Sequence, residues 1–179
     1  DVEVKPWTRM GALGSYLNMG EQQEHDAYIC EIPAGKHTEP QHHMFETIIY
    51  IHKGRGGTTV WFEGDVKQTF EWSGGAIFAV PLNVSYQHFN ASNEPVRFLA
   101  GTNAPHVLNL FHNEEFIFRN PFQFGDRFRP DRDFFNENKK FTTRSWESNL
   151  VPDVNAFALD DYPMKGKGVK IMRFGLAGT

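Results

Sequence analysis

The residues best suited to chemistry fall in two stretches. Gly35–Gly56 reads GKHTEPQHHMFETIIYIHKGRG and holds His37, Glu39, Gln41, His42, His43, Glu46, Thr47 and His52. Gly75–Asn90 reads GAIFAVPLNVSYQHFN and adds Tyr86, His88 and Asn90. Imidazole and carboxylate are ligands of non-haem divalent metals, which keep open positions for substrate or dioxygen. Such a centre needs side chains that converge from several strands. Alternate residues of an extended strand share a face. Gln41, His43 and Thr47 therefore lie together, with His42 and Glu46 opposite. Likewise Tyr86, His88 and Asn90 share one face, while Gln87 and Phe89 take the other.

The elements that must position these residues read as strands. Apolar runs of five to eight residues, punctuated by Gly, Pro or Asn, predict strands near 27–32, 46–52, 58–63, 66–72, 76–80, 84–90 and 95–101. Phe62-Glu63-Gly64-Asp65 is a tight hairpin, and Ser73-Gly74-Gly75 and Ala91–Pro95 are further turns. Many short strands with few helix signals argue for an antiparallel sandwich or barrel. Beyond Asn113 the texture changes. Asn113–Arg132 interleaves Phe with Arg, breaks at Pro121 and Pro130, and predicts an extended arm without helical period.

Both stretches resemble the two sequence motifs of the cupin family, a small jelly-roll barrel that usually holds one divalent metal. With Gly54 as the closing glycine of the first motif, Gln41, His43 and Thr47 occupy its ligand positions. In the second, Gly75, Pro81 and Asn90 fall in register, Asn83 takes the second glycine position and Tyr86 the histidine position. The resemblance covers roughly residues 28–110. TIIYIHKGRGGTTVWFEG and FEWSGGAIFAVPLNVSYQHFNAS are similar to the N-terminal barrel of two-barrel (bicupin) proteins like gentisate dioxygenases. It implies an all-β, cupin-type antiparallel barrel with an extended C-terminal arm, and a non-haem metal enzyme acting on a small organic acid. The implied organisation is an N-terminal arm or strand at 1–26, the barrel at 27–112, and the arm and linker at 113–164. A terminal strand at 165–179 would open a second barrel.

At the family's ligand positions only His43 is an imidazole. An amide and a hydroxyl supply neither negative charge nor strong σ-donation. The candidate metal ligands are His43, His88, Gln41 and Tyr86, with Thr47, Phe45, Phe78 and Asn90 as pocket residues. Glu39 and His37 share the parity of His43, so Glu39, His43, Tyr86 and His88 form a rescue set for zinc, iron or nickel, while the divalent metals expected of the barrel as a whole are iron, manganese, nickel or zinc. His37, His42 and His52 read as loop or surface residues, and His106 and His112 as ordinary contacts.

The bulk numbers exclude other classes. The 179 residues carry a net charge of −4, which recommends neither nucleic acid nor an anionic membrane as partner. No apolar run approaches the roughly 20 residues of a membrane span. No Gly-x-Ser-x-Gly or phosphate-binding Gly loop is present, and Gly54–Gly57 reads as a turn between strands. The single cysteine, Cys30, fits a packed strand position and a reducing, cytoplasmic compartment. The 17 Phe suit sheet faces and large contacts. Arg127, Arg129 and Arg132 read as inter-subunit ion pairs. The Phe/Arg arm and an open terminal strand both call for a covering surface, either a second barrel or an identical subunit in a homo-oligomer. The chain begins at Asp1 without an initiator Met, as a processed, trimmed or partial polypeptide would.

Three functional readings stand side by side. The barrel has a degenerate metal site and supports an oxygenase-like partner barrel. Or it is catalytic through a nonstandard set that includes His43, His88 and Tyr86. Or it binds a small molecule without metal, in an aromatic interior where Phe45, Tyr86, Trp61 or Phe78 lies near the ligand.

Overall fold

Alternation of apolar residues builds two antiparallel sheets. The computed structural model describes residues 2–18, 20, 24–136, 138–140, 145–156 and 171–173. In chain order the elements are β1 (Lys5–Trp7), β2 (Ala12–Leu17), β3 (Asp26–Ile32), β4 (Gln41–His42), β5 (Thr47–Lys53), β6 (Arg55–Trp61) and β7 (Gln68–Ser73). They continue as β8 (Ile77–Val80), β9 (Ser85–Asn90), β10 (Val96–Thr102), α1 (Ala104–Phe111) and α2 (Glu114–Phe118). The last are β11 (Asn138–Lys140), β12 (Ser145–Ser148), β13 (Leu150–Val151) and β14 (Ile171–Arg173). A seven-stranded sheet runs β1-β2-β3-β10-β5-β8-β13 and a four-stranded sheet β4-β9-β6-β7, and a small third sheet of three strands runs β11-β12-β14.

The core lies between these sheets. On β9 burial alternates strictly, so Tyr86, His88 and Asn90 point in while Gln87 and Phe89 are only half-buried. On β5 the β-branched Thr47, Ile49 and Ile51 are buried and Ile48 and His52 exposed. Cys30, Ile32, Phe78 and Phe98 complete the centre. Two turn positions need left-handed backbone. Gly75 has φ 95°, and a Cβ there would strike the Asp153 carboxylate. Asn83 adopts φ 58° at the position where the cupin motif it resembles has glycine, and Asn tolerates this region better than most residues.

All seven expected strands are present, and the one real displacement is β6. It begins at Arg55, so Gly56 and Gly57 are strand residues rather than a turn. Gly56 pairs with Trp72 and Asn90, and the Phe89 carbonyl and Trp72 ring occupy the space a side chain would need.

The segment 113–132 also departs from expectation, because it contains a helix. The Asn113 side chain accepts the Phe116 amide at 2.9 Å, and Glu114 and Glu115 occupy the first turn. A capping Asn followed by acids stabilises a helix start even without a helical apolar period.

Further on, the arm packs on its own barrel. Phe128, Phe134 and Phe135 are buried in the core. Phe128 meets Phe62 edge-on with ring centroids 5.4 Å apart, and Phe135 stacks on Phe70 at 3.7 Å. The Gln68 amide donates to the carbonyls of Pro130 and Arg132 at 2.8 and 2.6 Å. Asn83 donates to Asn120 and Phe122 at 3.0 and 2.7 Å. Within the chain, Arg127 pairs with Asp126 at 3.3 Å and Arg129 with Asp131 at 3.0 Å. The stretch read as a linker holds β12 and β13, and β13 adds to the large sheet by pairing with β8. The terminal strand is not open along its whole length, since β14 pairs in parallel with β12. The remainder of the 165–179 tail lies outside the described residues. No helix among the described residues is long and apolar enough to cross a membrane.

Candidate functional site

Register brings the candidate residues to one end of the barrel. Tyr86 on β9 pairs with Gln41 on β4 and Val60 on β6, and His88 pairs with Thr58. His43 follows the two-residue β4 directly, and its ring stacks on Phe45 with centroids 3.7 Å apart and planes within 1°. Gln41, His43, Tyr86 and His88 are all buried.

Hydrogen bonds decide what these groups can do. His43 Nδ1 faces the Phe45 carbonyl at 2.9 Å, and a carbonyl only accepts, so Nδ1 carries the proton. Burial holds the ring neutral, its pKa lowered to about 3. Nε2 is then the acceptor, and the Tyr86 hydroxyl donates to it at 2.9 Å. Burial in turn raises the Tyr86 pKa, with a hydrogen bond from Tyr28 opposing the rise. Tyr86 is therefore a neutral phenol. Deeper in, Trp72 Nε1 donates to Thr58 Oγ1 at 2.8 Å. The Thr58 hydroxyl hydrogen then has His88 Nδ1 as its partner, also at 2.8 Å. Burial likewise lowers the His88 pKa to about 3.

This donor set does not fit a divalent metal. The one lone pair of His43 is taken by Tyr86, and both ring nitrogens are satisfied. The Gln41 amide donates to the carbonyls of Arg9 and Glu39, each at 3.0 Å, and so is tied to backbone. Neutral tyrosine, amide and threonine supply no anionic donor to offset a dication. The rescue set is not assembled either. Glu39 is exposed, with its amide donating to Met10, and exposed His37 contacts Gln87 at 3.1 Å. Among the described residues no three His, Cys, Asp or Glu side chains are placed to hold a metal.

What the site does have is space. A cavity of about 380 Å³ opens beside His43 and Tyr86, walled by Trp7, Tyr16, Tyr28, Phe45 and Phe118. Three charged residues line it: Arg9, Asp26 and Glu114. The Arg9 guanidinium lies 3.8 Å over the Phe118 ring. Asp26 accepts the Thr102 hydroxyl and helps raise the pKa of Tyr16, after burial as the main cause. Arg9, Asp26 and Glu114 were not among the candidates, because they come from the β1–β2 turn, the start of β3 and α2, outside both motifs. The only signal was charge next to aromatic residues, which is common on any surface.

The expected pocket residues separate. Phe45 lines this cavity. Phe78 is packed against Phe70 with centroids 4.9 Å apart, and half-buried Trp61 stacks outside under Lys67 Nζ at 4.2 Å. Asn90 donates to the carbonyls of Ile32, Pro33 and Glu94 and accepts from Ser92, so it ties turns together. Thr47 lines a second cavity of about 370 Å³ with Ile48, Pro81 and Arg127. Cys30 is a fully buried strand residue whose thiol pKa is pushed up to about 12 by burial, which leaves it inert at neutral pH.

Neither protein-family models nor curated proteins match the chain. Solved structures do. The cupin domain of Schizosaccharomyces pombe Cnp3 aligns with a TM-score of 0.51 and 21% identity over 63% of this chain and 80% of that one. Lactobacillus farciminis oxalate decarboxylase, in its formate complex, aligns at 0.50 and 20% identity over 57% of this chain and 31% of the other. The chain thus spans about a third of the oxalate decarboxylase chain it matches. These similarities, with the two-sheet topology, make the fold a cupin jelly roll.

Proposed function

We propose that this chain is a cupin barrel that binds a small organic molecule at its mouth without a metal of its own. On this reading it is one half of a cytoplasmic, bicupin-type, oxygenase-like assembly. The observation that carries the proposal is the saturation of His43. A side chain that donates to Phe45 and accepts from Tyr86 has no lone pair for a metal, and it presents a neutral, fixed wall to the cavity instead. The cavity, walled by aromatic rings with a few polar groups, has the character of a small-molecule site.

The deciding experiment is elemental analysis of protein incubated with iron, manganese, nickel and zinc and then desalted. The expected result is substoichiometric metal, unchanged in His43→Ala and His88→Ala. Stoichiometric metal that disappears in those variants would establish the catalytic, nonstandard ligand set in its place. For the assembly, the expectation is a native reading frame that encodes a second barrel with complete His-x-His and Glu ligands. Light scattering tests the alternative surface, an identical subunit.

A further inference from the structure

The charges around the mouth cavity do not cancel within the protein. The Arg9 guanidinium packs by its face on Phe118, and among the described residues no carboxylate pairs with it and no acceptor takes its N–H groups. The Glu114 carboxylate likewise has no partner among the described residues. Asp26 accepts one hydrogen bond from Thr102. One cation and two anions thus line a single cavity, and Arg9 is not paired with either acid.

A simple carboxylic acid entering this space would gain Arg9 but face both carboxylates. A simple amine would gain the acids but face Arg9. Once a ligand covers these groups, each unmatched charge is unfavourable. A ligand that carries both signs on one carbon offers a counter-charge to Arg9 and to the acids alike. The rest of the wall is aromatic, from Trp7, Tyr16, Phe45 and Phe118. Resting on the reading of this cavity as a metal-free binding pocket, we propose that it takes a zwitterionic α-amino acid with an apolar or aromatic side chain. The carboxylate is held by Arg9 and the ammonium by Glu114 and Asp26. The side chain points toward Phe45 and Tyr86.

The test is calorimetric titration of the whole chain with three probes: L-phenylalanine, 3-phenylpropanoate (which lacks the amine) and phenethylamine (which lacks the carboxylate). L-phenylalanine saturates, and each of the other two binds at least about tenfold more weakly, the loss expected for one charge-assisted contact. Arg9→Gln removes the advantage of L-phenylalanine over phenethylamine, and Glu114→Gln shrinks its advantage over 3-phenylpropanoate. Both residues are exposed, and melting curves of the variants verify the fold. Equal or tighter binding of 3-phenylpropanoate overturns the amino-acid proposal while leaving the metal-free pocket standing. Absence of binding by all three probes also overturns it. Only the metal analysis bears on the pocket reading itself.

Discussion

The barrel mouth and the flank covered by the C-terminal arm are both built from aromatic residues, and they end in opposite states. At the flank, Phe128, Phe134 and Phe135 enter the core and contact Phe62 and Phe70, so the rings fill the space. At the mouth, Trp7, Tyr16, Phe45 and Phe118 surround a cavity that Arg9, Asp26 and Glu114 also line. The difference lies in what accompanies the rings. The flank rings come with amide side chains, Gln68 and Asn83, that donate to four of the arm's carbonyls. The mouth rings come with Arg9, Asp26 and Glu114, whose desolvation would be costly without an opposite charge. One region is filled by its own rings and the other keeps a cavity.

The largest effect should come from emptying the flank. Phe134→Ala removes a buried ring and should destabilise the fold by about 3–5 kcal/mol, read from urea unfolding. Phe45→Ala at the half-open mouth should lose clearly less. Equal losses would erase the distinction between the two regions.

Acid sharpens the contrast next. His43 and His88 both have pKa values near 3 in the folded state against an ordinary 6.5. Below pH 6.5 the unfolded chain binds protons that the folded chain refuses. Stability is therefore fully present above about 6.5 and is lost as pH falls toward 3, at up to about 1.4 kcal/mol per pH unit for each histidine. Unfolding free energy measured from pH 7 to 4 should show that slope, and His88→Gln should reduce it. A flat profile would mean that water reaches both rings.

Asn83→Ala comes third. It loses both hydrogen bonds to the arm and leaves a left-handed residue without a tolerant side chain, for about 2 kcal/mol. Asn83→Gly should recover the backbone part alone, which separates the two contributions. The smallest effect belongs to Arg9→Gln, which should change stability by less than about 0.5 kcal/mol, because its exposed guanidinium makes no ion pair among the described residues. A larger loss would make Arg9 a structural residue and weaken its assignment to a ligand.

Much of the fold was legible because strand alternation is a local property. The buried set Gln41, His43, Thr47, Tyr86, His88 and Asn90 follows from counting residues in twos, Gly75 from its turn, and Asn83 from its place in the second cupin-like motif. The arm was harder to read. Its Phe/Arg interleaving has no period, and its buried partners lie more than 50 residues away in the chain, so composition alone could not tell an inner contact from an outer one. The helix within it was missed because a cap and two acids were enough to start it.

By itself the sequence determined the jelly roll, the inward faces, and the replacement of metal-ligand types by Gln41, Thr47 and Tyr86. It also determined that His43 would face inward, as an intact ligand would. Only the tertiary structure decided that His43 has no free lone pair, because Tyr86 stands 43 residues away and reaches Nε2 only through sheet pairing. It alone carried Arg9 and Glu114 to the same cavity. Short-range pattern sets which way a side chain points, while its partners depend on which distant strands and helices the packing brings alongside.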